Sequence, residues 1–128
     1  MATVLIVDDE LPLRSLLAMV VREAGYTAVL AANGRQALEL IGRQRPDLVL
    51  SDVMMPLLNG AALCRELKLA VDTASIPVIL MSTAGNVMWR GAGADAFLAK
   101  PFDIEDVEAL LERWLPKAES PAVAGAGE

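Results

Sequence analysis

Thr3-Val4-Leu5-Ile6-Val7-Asp8-Asp9-Glu10 passes without transition from a β-branched, apolar run into three carboxylates. Such a composition suits a pleated strand. The absence of polar alternation indicates a strand covered on both faces, as in a parallel sheet. Asp47 to Ser51, Ile76 to Met81 and Ala94 to Ala99 read the same way, and Tyr26 to Ala31 is a weaker fifth run. The strong runs end in or next to chemically special residues: Asp8 and Asp9, Asp52, Ser82 and Lys100.

Segments with helical spacing separate the runs. They carry Leu13, Leu16, Leu17, Val20 and Val21; Ala37, Leu38 and Ile41; Leu63, Leu67 and Val71; and Val107, Leu110, Leu111 and Trp114. Alternating strands and helices joined by right-handed crossovers predict an α/β fold: one doubly wound, flavodoxin-like, five-stranded parallel sheet of order 2-1-3-4-5 with helices on both faces. In such a sheet the carboxyl ends of the strands share an edge, where ligand crevices form. Three carboxylates, a hydroxyl and an ammonium are therefore expected in one shallow pocket.

The chain has 128 residues, 55% of them hydrophobic, and a mean hydropathy of +0.44, which fits one domain with a single core. That domain is expected over residues 1–115, with 116–128 a disordered tail or the start of a linker, because Pro, Ala, Gly, Ser and Glu replace the apolar periodicity there. A net charge of -6 argues against nonspecific nucleic-acid binding, which requires clustered cations. Neither a signal peptide nor an apolar run of ~20 residues is present, so a cytoplasmic location without membrane contact is expected. Cys64, the single cysteine, falls within an amphipathic segment and reads as buried filler. The chain contains no histidine, so any imidazole chemistry belongs to a partner.

Charge balance points to a cation. Two carboxylates ~4 Å apart repel by about 4 kcal/mol at an effective dielectric of 20, so a cluster of three takes up protons or recruits cations. Lys100 supplies one positive charge. Oxygen-only donors suit Mg²⁺ better than zinc. A carboxylate at a strand tip beside such an ion can attack a phosphoryl donor, which makes Asp52 the candidate nucleophile and Ser82 a donor to a phosphoryl oxygen. The plainer reading of Asp9 or Glu10, ahead of Leu11-Pro12, is a helix N-cap. Asp52 and Lys100 on the same edge favour a site.

At these positions the chain closely resembles the receiver domain of bacterial two-component response regulators, the CheY-like superfamily. The likeness rests on Leu5-Ile6-Val7-Asp8-Asp9-Glu10, on Leu48 to Pro56 with Asn59-Gly60, on Ile76 to Ser82 and on Gly93 to Phe102. It spans residues 3 to about 115. The resemblance implies that Asp52 is the phosphoacceptor, with Mg²⁺ bound directly by Asp9 and Asp52, through water by Asp8, and by the backbone carbonyl of Met54. It further implies that Ser82 is the switch hydroxyl, Phe97 the switch aromatic and Lys100 the phosphoryl contact, with a cis Lys100-Pro101 bond. The implied function is a phosphorylation-dependent switch. A histidine kinase or histidine phosphotransfer protein charges Asp52, and a downstream protein reads the result. Such a domain is not a classical enzyme, although it catalyses its own phosphorylation and dephosphorylation.

Two features depart from the family pattern. Only eighteen positions separate Ser82 from Lys100, about one helical turn fewer than usual, and the intervening segment carries Gly85, Gly91 and Gly93. The fourth helix is expected to be shortened, and any homodimer through that face weak. Thr83 stands beside the site where alanine is usual, and Met54 is bulky, so both are expected to lengthen the phosphoryl lifetime. Trp89, near Met88, is a candidate partner anchor, whereas Trp114 continues a packing stripe.

Other classes fit less well. A phosphorylation-independent binding module shares the fold. An Mg-dependent phosphatase of the haloacid dehalogenase type wants a second Asp where Met54 stands. A flavodoxin-like carrier wants a phosphate loop where Asp8-Asp9-Glu10 would repel the flavin phosphate.

Overall fold

The strand at Thr3–Val7 (β1) lies inside a parallel sheet because its side chains alternate between two apolar layers. Val4 and Ile6 enter one layer, Leu5 and Val7 the other, and all four are at most 1% exposed. The computed structural model describes residues 2–83 and 91–116. Met88, Trp89 and residues 84–90 of the segment expected to form a shortened fourth helix lie outside them.

The elements follow as α1 (Leu11–Glu23), β2 (Thr27–Ala31), α2 (Gly34–Arg43), β3 (Leu48–Asp52), α3 (Gly60–Leu69), β4 (Val78–Ser82), β5 (Ala96–Ala99) and α4 (Ile104–Trp114). All strand pairs are parallel in the order β2-β1-β3-β4-β5, as the sequence predicts. Leu17, Ala18, Val20 and Val21 of α1 and Val107 and Leu111 of α4 cover one face. Ala37 and Ile41 of α2 and Ala61, Leu63, Cys64 and Leu67 of α3 cover the other. Cys64 is fully buried and unpaired, as expected of filler.

Strands β2 to β5 each begin one or two residues later than the apolar runs suggest, and ahead of β3 and β5 carboxylates finish the sheet's amino edge. Asp47 accepts the Thr3 N–H through Oδ2 at 2.7 Å, and Asp95 accepts the Val78 N–H at 2.8 Å. Each satisfies a first-strand donor that would otherwise lack a partner. Lys68 reinforces this edge, donating to Asp95 Oδ2 and the Ile76 carbonyl, both at 2.7 Å, and to the Ala74 carbonyl at 3.2 Å. The apolar stripe of α3 stops short of expectation. The helix ends at Leu69, leaving Val71 93% exposed.

Asn59-Gly60, which the sequence places just ahead of a helix, forms its first turn. Asn59 caps α3 by accepting the Ala62 N–H at 2.8 Å, and Asn33 caps α2 through Gln36 in the same way. Gly60 is required by close approach: a Cβ there would overlap the Asp52 carbonyl oxygen and lie 2.9 Å from Val53 Cα. The Gly60 N–H donates to the Val53 carbonyl at 2.9 Å. Helix α3 therefore starts on the backbone that carries Asp52.

Candidate functional site

Parallel pairing brings the strand ends level. Val7 pairs with Ser51, Asp52 with Met81 and Ser82 with Ala99, so Asp8, Asp52, Ser82 and Lys100 emerge along one edge. Asp8 is fully buried, and Asp52 and Ser82 are each 5% exposed. Lys100 Nζ lies 3.2 Å from Asp52 Oδ1 and 4.0 Å from Asp8 Oδ2. The backbone fixes this approach, since the Lys100 N–H donates to the Ser82 carbonyl at 3.1 Å and the Lys100-Pro101 bond is cis.

Asp8 is only half satisfied. Its Oδ1 accepts the Glu10 N–H at 2.8 Å, and Arg14 Nη1 donates to its backbone carbonyl at 2.6 Å. Its Oδ2 is buried with no hydrogen-bond partner among the described residues. Burial pushes the Asp8 carboxyl up from its ordinary 3.8 to about 6. The Glu10 N–H and Lys100 pull against burial, whereas the charges of Asp52 and Asp9 add to it.

Carboxylate oxygens of Asp8, Glu10 and Asp52 all lie within 4.8 Å of one another. An oxygen-only set with an unsatisfied buried acceptor fits a hard divalent cation, which would supply the missing partner and offset the crowded charge. Asp9, expected as a direct ligand, is exposed and lies outside this set. Glu10 takes part instead. Its N–H bond to Asp8 Oδ1 ties it to Asp8 across the bend at Asp9, and its place in the run of three carboxylates is the sequence signal that points to it.

The remaining expected residues surround this centre. Thr83 is exposed beside buried Ser82. Phe97 is half-buried against the core layer beneath α2 and α3, on the strand that leads to Lys100. Met54 is 69% exposed in the loop after Asp52, where Leu57 adopts a positive φ of 68°. Trp114 is half-buried against the core, with Arg113 stacked 5.5 Å from its ring centroid. No helix among the described residues is long and apolar enough to cross a membrane.

Residues 4–112 match the response regulator receiver domain family. The chain is 40% identical over 121 residues to the response regulator MprA of Mycolicibacterium vanbaalenii, covering 88% of this chain and 52% of that one. It spans about half the length of the curated relatives it matches. Among solved structures, the chemotaxis protein CheY4 of Vibrio cholerae superposes with a TM-score of 0.84 at 31% identity, covering 90% of this chain and 99% of that one. The receiver domain of the sensor histidine kinase PA1611 of Pseudomonas aeruginosa, which has a magnesium ion coordinated in its active-site cleft, superposes with a TM-score of 0.80 at 30% identity, covering 88% and 96%.

Proposed function

Because this chain belongs to the response regulator receiver domain family, we propose that it is a phosphorylation-dependent switch in which Asp52 accepts a phosphoryl group from a histidine kinase or histidine phosphotransfer protein. The observation that carries the proposal is the position of Lys100, 3.2 Å from a buried carboxylate whose neighbour, Asp8, keeps an unsatisfied oxygen. A mere ion pair would leave no reason for the second buried acceptor.

An oxygen of Asp52 attacks the phosphorus of phosphohistidine. As the P–O bond forms the P–N bond breaks, and the imidazole leaves with its electron pair and takes a proton from solvent. The Lys100 ammonium, held by its own backbone hydrogen bond, offsets charge on a transferring oxygen at no reorganisation cost. Bound Mg²⁺, held by Asp8 and Asp52, with Asp9 and the Met54 carbonyl as the family likeness implies, would supply further neutralisation of the phosphoryl oxygens. The phosphoryl group adds nearly two negative charges and three acceptors, toward which the Ser82 hydroxyl turns to donate, and Phe97 follows into the vacated space. The product is a changed surface that a downstream protein reads.

The test is incubation of the protein and an Asp52→Asn variant with Mg²⁺ and acetyl phosphate, followed by intact-mass measurement. Addition of one phosphoryl group to the wild type alone is expected. No addition to a wild type that binds Mg²⁺ would leave a phosphorylation-independent binding module.

A further inference from the structure

Glu10 occupies the N-cap position of α1, yet its side chain makes no capping hydrogen bond. Nor does that side chain enter any ion pair among the described residues. A carboxylate whose purpose was to close the helix would accept one of the free N–H groups of the first turn. Instead, an oxygen of Glu10 lies within 4.8 Å of oxygens of Asp8 and Asp52. Its backbone is held by Asp8 itself, through the 2.8 Å bond from the Glu10 N–H to Oδ1, and Pro12 stiffens the start of the helix behind it.

Three anionic groups in that space repel one another, and a conformation that gathers them requires compensation. Lys100 stands at the Asp52 and Asp8 side of the cluster and forms no ion pair with Glu10. Asp8 Oδ2 is buried and accepts no hydrogen bond, with Lys100 Nζ standing off at 4.0 Å, so a buried acceptor here is left for a ligand to fill. We propose that Glu10 is a donor to the divalent cation of this cleft, directly or through one bound water, so that the third acidic residue of Asp8-Asp9-Glu10 contributes to cation binding in this chain. The proposal rests on the cation site put forward above.

Its direct consequence concerns affinity. Removing an anionic donor that contacts or orients the ligands of a metal weakens binding on the order of 10-fold or more. Its second consequence has the opposite sign to that of a structural role. Without cation, loss of the Glu10 charge relieves repulsion with Asp8 and Asp52 and raises the melting temperature, whereas an acidic residue that only served the positive end of α1 would lower it when neutralised.

The wild-type chain, Glu10→Gln and Asp52→Asn would be titrated with Mn²⁺, reading free ion by electron paramagnetic resonance, and with Mg²⁺, reading the melting temperature. The wild type is expected to bind one ion and Asp52→Asn to bind poorly. Glu10→Gln is expected to bind on the order of 10-fold more weakly while melting higher than the wild type in chelator. Wild-type affinity in Glu10→Gln would overturn the role of Glu10 and leave the cation site standing. A lower melting temperature of Glu10→Gln in chelator would return Glu10 to the helix end and overturn the proposal. No binding by the wild type would remove both.

Discussion

Replacing Asp8 by asparagine tests whether the cleft is strained by its own charge. The side chain is fully buried, and the rise of its carboxyl from 3.8 to about 6 corresponds to roughly 3 kcal/mol of differential interaction. Because the folded state holds this proton more tightly than the unfolded chain, the associated stability is fully present below 3.8. It is lost as pH rises toward about 6 and is absent above that. Asparagine keeps an acceptor for the Glu10 N–H, removes the charge, and leaves Lys100 its 3.2 Å partner in Asp52. In chelator at about pH 7.5, Asp8→Asn should therefore be more stable than the wild type by up to about 3 kcal/mol, and at about pH 4 the difference should shrink toward zero. Saturating Mg²⁺ should narrow the gap at the higher pH by stabilising the wild type more than the variant. Urea denaturation followed by circular dichroism, with and without Mg²⁺ at both pH values, measures each quantity. A variant less stable than the wild type in chelator at the higher pH would refute the argument, since Asp8 would then be contributing to folding rather than opposing it.

Three further outcomes follow from the packing. Gly60→Ala places a methyl against the Asp52 carbonyl, so the gain of about 1 kcal/mol in helix propensity should be outweighed by a packing cost of about 1–3 kcal/mol, with reduced phosphorylation of Asp52 because its backbone must shift. Unchanged stability and labelling would show that the loop yields freely. Lys68→Met keeps the apolar stem but deletes three hydrogen bonds at the amino edge of the sheet, and a loss of about 1–3 kcal/mol in urea denaturation is expected, with acetyl phosphate labelling retained. Thr83→Ala opens the exposed position beside Ser82 and should shorten the phosphoryl lifetime, followed as loss of the added mass over time. A lifetime equal to or longer than that of the wild type would count against shielding by Thr83.

The sheet was legible because strands buried on both faces lack polar alternation, and the helices because their apolar spacing matches the faces they bury. What the sequence concealed lies at the ends of elements, where one side chain can override a run of propensities. Asp47 and Asp95 read as part of the runs that become β3 and β5, yet they precede those strands and their carboxylates finish the hydrogen bonding of the neighbouring strands β1 and β4. Val71 fits the stripe of α3, but the helix has already stopped. Asn59-Gly60 marks the approach to α3 in the sequence, and only the contact with the Asp52 backbone shows why the glycine is needed.

The same reasoning separates Asp9 from Glu10. A family pattern assigns roles by position along the chain, and by that measure Asp9 is the ligand. Side-chain direction follows from backbone conformation, and here the chain bends at Asp9 while the Glu10 N–H is tied to Asp8 Oδ1, with the carboxylates of residues 8 and 10 in the same space. The cluster of Asp8, Glu10 and Asp52 is the result. A cation entering the cleft meets an exposed Asp9 and a nearby Glu10 that compete for one coordination shell. Comparison of Asp9→Asn with Glu10→Gln therefore measures which carboxylate prevails: if Asp9→Asn alone abolishes binding, the backbone rearranges around the ion, and if Glu10→Gln costs more, the grouping of Asp8, Glu10 and Asp52 persists in the bound state.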